Sequence, residues 1–192
     1  DYKTSGRVET WKIGGNYAIT DTVRLRATRS RDIRAPNIQE LFAAGQTLVY
    51  PINDTARNES YTVSATQGGN PSLVPEKADT FTAGIALTPT AVPGLSFTVD
   101  YFDIKLNEAI ISLTPAAIVT QCYGVAPQAC ALITRDPVTN QITLVRNGPV
   151  NMQSVNLTGV DVEASYAIPL GADRIDLRAL VNYTSKAEIS DG

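Results

Sequence analysis

Apolar and polar residues alternate with a period of two along six segments of the chain, a pattern that predicts β-strands with one apolar face. The clearest segment runs from Trp11 to Ile19, where apolar residues dominate the odd positions and Lys, Gly, Asn and Ala fill the even ones. The other five lie at about 23–28, 80–87, 95–101, 159–168 and 174–183. Short turns near 20–22, 89–94 and 169–173 join the segments in pairs, so the pattern predicts three antiparallel hairpins.

The connections between the hairpins are much longer than the turns within them, and run over about 33–76 and 107–156. Loops of about 40 residues are uncommon in a compact soluble domain, whereas short periplasmic turns and long outer loops are typical of outer-membrane barrels. The longest arms, of about ten residues, also match membrane-crossing strands. We therefore expect an all-β fold: an antiparallel up-and-down transmembrane β-barrel segment of about six long strands, with short periplasmic turns and two long extracellular loops.

The two faces of the predicted strands suit two different surroundings. Residues expected to face lipid are Trp11, Ile13, Leu25, Phe81, Ile85, Phe97, Val99, Val160, Val162, Leu177 and Val181. The opposite face carries Thr, Ser, Gly and Asn together with charged residues that would line a lumen, namely Arg24, Arg26, Asp100, Asp161, Glu163, Arg174, Asp176 and Arg178. Aromatic residues suited to the membrane interfaces are Trp11, Tyr17, Tyr166 and Tyr183.

A soluble secreted β-sandwich that serves as a binding or adhesion module is the alternative, because its strands alternate in the same way. It predicts that the apolar side chains pack between two sheets. The barrel hypothesis requires additional strands, because six strands are too few to close a barrel and open sheet edges are not tolerated in lipid. It predicts that residues 1–192 are one partial barrel domain, a segment of a larger protein without its plug domain and barrel ends.

Composition excludes several classes of function. Only 18% of the 192 residues are charged, against about 25% in ordinary soluble domains. A net charge of −3 provides no basic field for nucleic acid. Histidine is absent, which removes Ser-His-Asp triads and His-ligated zinc sites. The carboxylates of Asp161 and Glu163 are expected to line the lumen. We therefore expect no enzyme, no catalytic residues, and no cofactor or metal site.

The two long connections carry local signals of their own. Asn37 followed by Glu40 has the spacing of a helix capping box. The Arg/Asp cluster at 31–34 is expected to form local ion pairs at a solvated strand end, and contact with a ligand is the alternative. In the second connection, Thr114-Pro115 predicts a helix start, with a helix to about residue 123. A second short helix is expected over 127–133, a turn over 136–140 and an extra strand over 142–145.

The two cysteines, Cys122 and Cys130, both lie in the second connection. A structural disulfide between them is the favoured interpretation, and it implies an oxidising compartment such as the periplasm or the cell surface. A redox pair or half of a metal site is the alternative, but the C-x-x-C spacing is missing and no His or further Cys is present.

Four motifs in this order resemble the TonB-dependent outer-membrane receptors. They are the Arg-Asp-Ile-Arg-Ala-Pro stretch that continues to Leu-Phe (31–42), Asn-Pro-x-Leu-x-Pro-Glu-Lys and the strand after it (70–84), Asp-Tyr-Phe-Asp-Ile-Lys-Leu-Asn-Glu-Ala-Ile (100–110) and Gly-Val-Asp-Val-Glu (159–163). Together they cover most of the chain. Ile33 stands where the family usually has Phe, and Asn107 where it usually has Asp.

The resemblance implies a barrel of about 22 strands around an N-terminal plug, in the outer membrane of a Gram-negative bacterium. It implies energised uptake of a scarce ligand such as a ferric siderophore, cobalamin, haem or glycan. The expected partners are outer-membrane lipid, the remaining strands and plug of the same receptor, the TonB complex acting through the plug, and a small extracellular ligand. The ligand-binding residues stay unknown, since Tyr50, Arg57, Tyr61 and Arg146 resemble ordinary loop residues.

Overall fold

Strands make up most of the chain in the computed structural model, which describes residues 8–124 and 126–191. In chain order the elements are β1 (Trp11–Ala18), β2 (Val23–Arg34), α1 (Ile38–Phe42), β3 (Gln46–Asp54), β4 (Glu59–Gln67), β5 (Glu76–Leu87), β6 (Leu95–Ile111), α2 (Pro115–Cys122), a 3₁₀ helix (Pro127–Leu132), β7 (Ile133–Arg135), β8 (Ile142–Arg146), β9 (Val150–Leu170) and β10 (Asp173–Asp191).

The six predicted long strands form one antiparallel sheet in the order β1-β2-β5-β6-β9-β10. Each strand pairs with the next along this order, so the three predicted hairpins lie side by side. The sheet is open, with β1 and β10 at its edges. None of the helices among the described residues combines the length and apolar character needed to cross a membrane.

Strand register places the alternating residues on two distinct faces, as the sequence predicts. One row across the sheet, on the face called here the apolar face, consists of Tyr17, Leu25, Ile85, Val99, Val162 and Val181. The adjacent row, on the opposite polar face, consists of Asn16, Arg26, Gly84, Asp100, Asp161 and Asn182. No second sheet of the described chain pairs with or stacks on the apolar face in the manner of a sandwich, and Val181 is 59% exposed. The sandwich alternative is therefore wrong.

The apolar face changes character toward the end where the long connections leave the sheet. The unbroken run of apolar residues on this face ends, on four successive strands, at Ala27, Phe81, Tyr101 and Val160. The next residues on the same face, two positions further toward the connections, are Arg29, Asp79, Asp103 and Thr158. On β10, apolar positions run from Ile175 to Tyr183, about 26 Å of strand at 3.3 Å per residue. At a tilt of about 40° this length covers about 20 Å along the membrane normal, most of an apolar band about 25 Å tall.

Three strands are longer than the alternation indicates, because β6, β9 and β10 contain 17, 21 and 19 residues. The second connection therefore runs over 112–149 instead of the expected 107–156. For β6 and β9, a β-bulge lies where the alternation ends: the β6–β9 register shifts on both sides of Ala109, and Glu108 has a φ of 58°. A bulge breaks strict alternation while pairing continues beyond it, so the sequence pattern fades before the strand ends.

The two long connections fold together into one small unit, called here the loop subdomain (46–67 and 115–146). Its sheet has the order β3-β4-β8-β7, and the parallel β4–β8 pairing joins the first connection to the second. α2 and the 3₁₀ helix pack on this sheet around a core of Ile52, Val63, Ile118, Val119, Cys122, Ala129, Ile142 and Val145. The sequence signals missed β3 and β4. Pro51 interrupts the β3 pattern, and this is tolerated because β3 is an edge strand.

The other local predictions are confirmed. Asn37 and Glu40 form a complete capping box at the start of α1, and the Thr114 hydroxyl caps α2. The extra strand expected at 142–145 is β8. The turn before it closes on Asp136, whose carboxylate accepts hydrogen bonds from the amides of Val138 and Thr139.

Candidate functional site

An ion pair that spans three strands organises the polar face of the long sheet. Arg26 on β2 donates from Nε to Asp100 Oδ1 on β6 at 2.7 Å, and a second guanidinium nitrogen donates to Oδ2. β5 lies between these strands, and the residue directly between the pair is Gly84. A Cβ at Gly84 would collide with the Asp100 carboxylate. The missing side chain therefore opens the path for the ion pair.

Further pairs continue this polar face across β9 and β10. Asn182 Nδ2 donates to Asp161 Oδ1 at 2.6 Å, and Arg178 Nε donates to Glu163 Oε1 at 2.7 Å. The predicted lumen-lining carboxylates Asp100, Asp161 and Glu163 thus each accept a hydrogen bond from a neighbouring side chain. These hydrogen bonds hold the carboxylates in fixed positions on the polar face.

A cluster of three charges lies at the end of the polar face nearest the long connections, where β2 and β5 meet α1. Arg34 donates to both carboxylate oxygens of Glu76 at 2.7 Å and to those of Glu40 at 3.0 and 3.1 Å. Glu76 also accepts the Ile110 amide of β6 at 2.8 Å. The capping box holds Glu40 in place, because its carboxylate accepts the Asn37 amide at 2.7 Å. The expected strand-end ion pairs exist, but the expectation that they are local is wrong for two of them, because Arg34–Glu76 and Arg31–Asp79 join residues 42 and 48 positions apart.

A cleft of about 440 Å³ lies beside this cluster, at the junction of α1, the β3–β4 hairpin and the end of β6. Polar side chains dominate its lining, namely Gln39, Glu40, Gln46, Gln67 and Ser112. Amide and hydroxyl groups of this kind donate and accept hydrogen bonds without adding charge. The arrangement can bind a polar ligand.

Asp54 is the residue that ties the two connections together inside the loop subdomain. Its side chain is fully buried, and it accepts two hydrogen bonds of 2.8 Å from Arg135, which lies 81 residues later. Tyr61 donates to the same carboxylate at 2.6 Å, and the Tyr61 oxygen accepts the Ile142 amide at 2.8 Å. Arg135 also lies over the Tyr123 ring, 5.5 Å from its centroid. Such bidentate, hydrogen-bonded geometry is what a buried ion pair needs in order to be stable.

The pKa values in this cluster follow from the contacts. Hydrogen bonds from Arg135, joined by that of Tyr61, lower the pKa of Asp54 to about 2. The same Asp54 contact raises the pKa of Arg135, and burial raises the pKa of Tyr61. The cluster is therefore an ionised carboxylate held by a cation and a neutral phenol at neutral pH.

The predicted disulfide between Cys122 and Cys130 is present, with a Cα–Cα distance of 4.6 Å. It connects the end of α2 to the 3₁₀ helix, and Cys122 is part of the buried core. The bridge therefore fixes the helical part of the loop subdomain against its sheet, in a structural position.

The loop residues considered as ligand contacts separate into two groups. Tyr61 and Arg57 have structural partners: Arg57 pairs with Glu59 at 3.0 Å and donates to the Thr139 carbonyl oxygen. Tyr50 lies half-buried on β3, and Arg146 is exposed at the end of β8. Asp54 and Arg135 were missed. The sequence offered one signal for Asp54: it lies two positions after Ile52, so in a strand both side chains point to the same, buried face.

Known proteins show what the chain is similar to. The family model described as TonB dependent receptor-like, beta-barrel matches residues 1–192. Comparison with curated protein sequences gives no match.

Among the described residues, no group of three or more His, Cys, Asp or Glu side chains could hold a metal ion.

Solved structures share the fold at low sequence identity. The ferric enterobactin receptor PfeA of Pseudomonas aeruginosa is 18% identical with a TM-score of 0.59, over 92% of this chain and 22% of that one. The siderophore receptor PirA of Acinetobacter baumannii is 15% identical with a TM-score of 0.62, over 97% and 24%. The RagAB peptide importer is 20% identical with a TM-score of 0.57, over 98% and 19%. The chain thus spans less than a quarter of each of these chains.

Two glycine-to-alanine replacements, one on each face of the sheet, test whether the missing side chain at Gly84 is needed for the Arg26–Asp100 ion pair. Gly84→Ala should destabilise the protein by about 1–3 kcal/mol, because the new methyl group displaces the Arg26–Asp100 pair. Gly15→Ala is the matched control, since a Cβ there meets nothing within 4 Å. Thermal unfolding followed by heat-modifiable electrophoretic migration measures both. Equal unfolding temperatures for the two variants would contradict the role of Gly84.

Acid should loosen the loop subdomain through Asp54. The carboxyl has a pKa of about 2 when folded and 3.8 ordinarily, so its stabilisation is present above about pH 4 and is lost as pH falls through 2. The amount is about 2 kcal/mol. Hydrogen exchange of β3 and β4 amides, corrected for intrinsic rates, should show protection falling over this range. Asp54→Asn should lower protection at neutral pH and remove this pH dependence, and an unchanged pH profile in that variant would argue against the assignment.

Proposed function

Because the chain belongs to the TonB-dependent receptor-like β-barrel family, we propose that its long sheet is part of the wall of an outer-membrane receptor that takes up a scarce ligand. The observation that supports this most is the pair of unlike faces carried by six long strands. The apolar face of the sheet and the paired charges on its opposite face suit a wall with lipid on one side and a polar interior on the other.

In the proposed orientation, the row of Leu25, Ile85 and Val99 contacts lipid, and the row of Arg26, Asp100 and Asp161 faces the lumen. The polar face would then contact the plug of the same receptor. The charged side chains of this face already form ion pairs and hydrogen bonds with one another. A plug that lies against the face could therefore move without disrupting contacts within the barrel wall.

The two long connections are then on the outer side of the membrane, opposite the short turns. The loop subdomain would form part of the entrance, with the cleft beside Glu40 open to arriving ligand. The disulfide supports this location, because such bridges persist in the periplasm and at cell surfaces.

The role proposed for the whole protein is transport, energised by the TonB complex through the plug, in a Gram-negative outer membrane. Two of the similar structures are described as siderophore receptors and one as a peptide importer. We propose that the ligand is a small extracellular molecule such as a ferric siderophore, cobalamin, haem or glycan. We assign no catalytic step to this chain.

Surface labelling of intact cells tests the orientation. In the complete receptor, Val138→Cys should react with a membrane-impermeant maleimide, because Val138 is 90% exposed in the loop subdomain. Ala172→Cys, in the β9–β10 turn, should react only after the outer membrane is permeabilised. Native Cys122 and Cys130 form a disulfide and give no background. Labelling of Ala172→Cys but not Val138→Cys in intact cells would overturn the proposed topology.

A further inference from the structure

A shallow cleft with basic side chains opens on the apolar face, just above the point where that face stops being apolar. Its volume is about 370 Å³, and it is lined by Arg29, Asp79, Thr80, Phe81, Asp103 and Lys105. Register places all of these except Thr80 on the apolar face of β2, β5 and β6. The cleft is separate from the polar face and from the cleft beside Glu40.

Two cations of this cleft are available to a ligand. Arg31 donates hydrogen bonds of 2.8 and 2.9 Å to both carboxylate oxygens of Asp79, so this carboxylate is already paired. Within the described part of the chain, neither Arg29 nor Lys105 makes a hydrogen bond or a direct ion pair, although both lie near enough to Asp79 to act on it electrostatically. Asp103 has a weak contact of 3.5 Å from the Thr158 hydroxyl. The four charged side chains of the lining balance to zero. Counting Arg31, which neutralises Asp79 from beside the cleft, leaves one net positive charge.

Aromatic rings lie beside and just below these cations, because register pairs Phe81 with Arg29 and places Tyr101 one row lower on the same face. Phe81 and Tyr101 contact each other with ring centroids 6.4 Å apart, and they are 40% and 39% exposed. Below them on the same face come Ala83, Ile85 and Val99. The surface thus has basic groups above and aromatic and aliphatic groups beneath, which is the polarity of a phosphorylated lipid with its chains pointing into the bilayer.

We propose that this cleft binds the phosphate-bearing headgroup of an outer-leaflet lipid, with Arg29 and Lys105 as the phosphate ligands. Guanidinium and ammonium groups recognise phosphate through charge-assisted hydrogen bonds, and basic pockets at a membrane surface bind anionic headgroups. Phe81 and Tyr101 contact the upper part of the acyl chains. The inference rests on the proposed orientation of the apolar face toward lipid. A soluble anion would use the same cations but would gain nothing from the aromatic pair.

The test uses the complete receptor in nanodiscs of phosphatidylcholine doped with lipid A, and native mass spectrometry counts the lipid A that stays bound. Arg29→Gln with Lys105→Gln should lower retention about thirtyfold, because two cations near an anionic headgroup are removed. The matched control is Lys12→Gln with Arg24→Gln, which removes the same charges from the polar face. It should retain lipid A as the unaltered receptor does.

Three further arms make the result specific. Dephosphorylated lipid A should bind the unaltered receptor no better than it binds the double variant, and inorganic phosphate should not release bound lipid A. Arg29→Lys with Lys105→Arg keeps the charges and should restore retention, which separates lost binding from misfolding. Equal retention in the double variant and its control, or release by inorganic phosphate, would overturn the proposal.

A spin label at position 85 in the same samples separates this inference from the proposed function. High oxygen accessibility at Ile85→Cys together with unchanged lipid A retention in the double variant would refute the headgroup site alone. Low oxygen accessibility there would refute the orientation as well.

Discussion

Each long strand must suit two different surroundings with residues that alternate along one backbone, and the rest of the structure depends on this constraint. The apolar face uses aliphatic and aromatic side chains that need no polar partner. The polar face satisfies its charges internally, as Arg26 and Asp100 do across Gly84. The low charge content of the chain follows from the same division, since one face of every long strand carries almost no charge until Arg29, Asp79 and Asp103.

The loop subdomain gives the two long connections a defined structure outside the long sheet. The observed core draws on both connections, with Ile52 and Val63 from the first and Val119 and Val145 from the second. The buried Asp54–Arg135 pair joins the two connections directly, because its partners lie 81 residues apart. The disulfide holds the helical part against this core. A ligand would therefore meet a preformed surface, which lowers the entropy cost of binding.

Local signals in the sequence were sufficient for much of this fold. Alternation located the six long strands and their faces, Asn37 and Glu40 located α1, and Thr114-Pro115 located α2. The sequence could not show contacts between distant residues: Arg26 and Asp100 are 74 positions apart on strands that are not neighbours. It also missed the continuation of β6 through the bulge at Glu108 and the β3–β4 hairpin around Pro51. In each case a locally irregular segment is stabilised by tertiary pairing, which single-sequence patterns do not contain.

Oxygen and water accessibility along β6 in the complete, membrane-inserted receptor is the most direct measurement of the central claim. Single spin labels replace Thr98, Val99, Tyr101 and Phe102 in turn. The account predicts high oxygen accessibility at 99 and 101 and low oxygen accessibility at 98 and 102, with a period of two. Accessibility that does not alternate, or water-exposed labels at 99 and 101, would contradict the assignment of the apolar face to lipid.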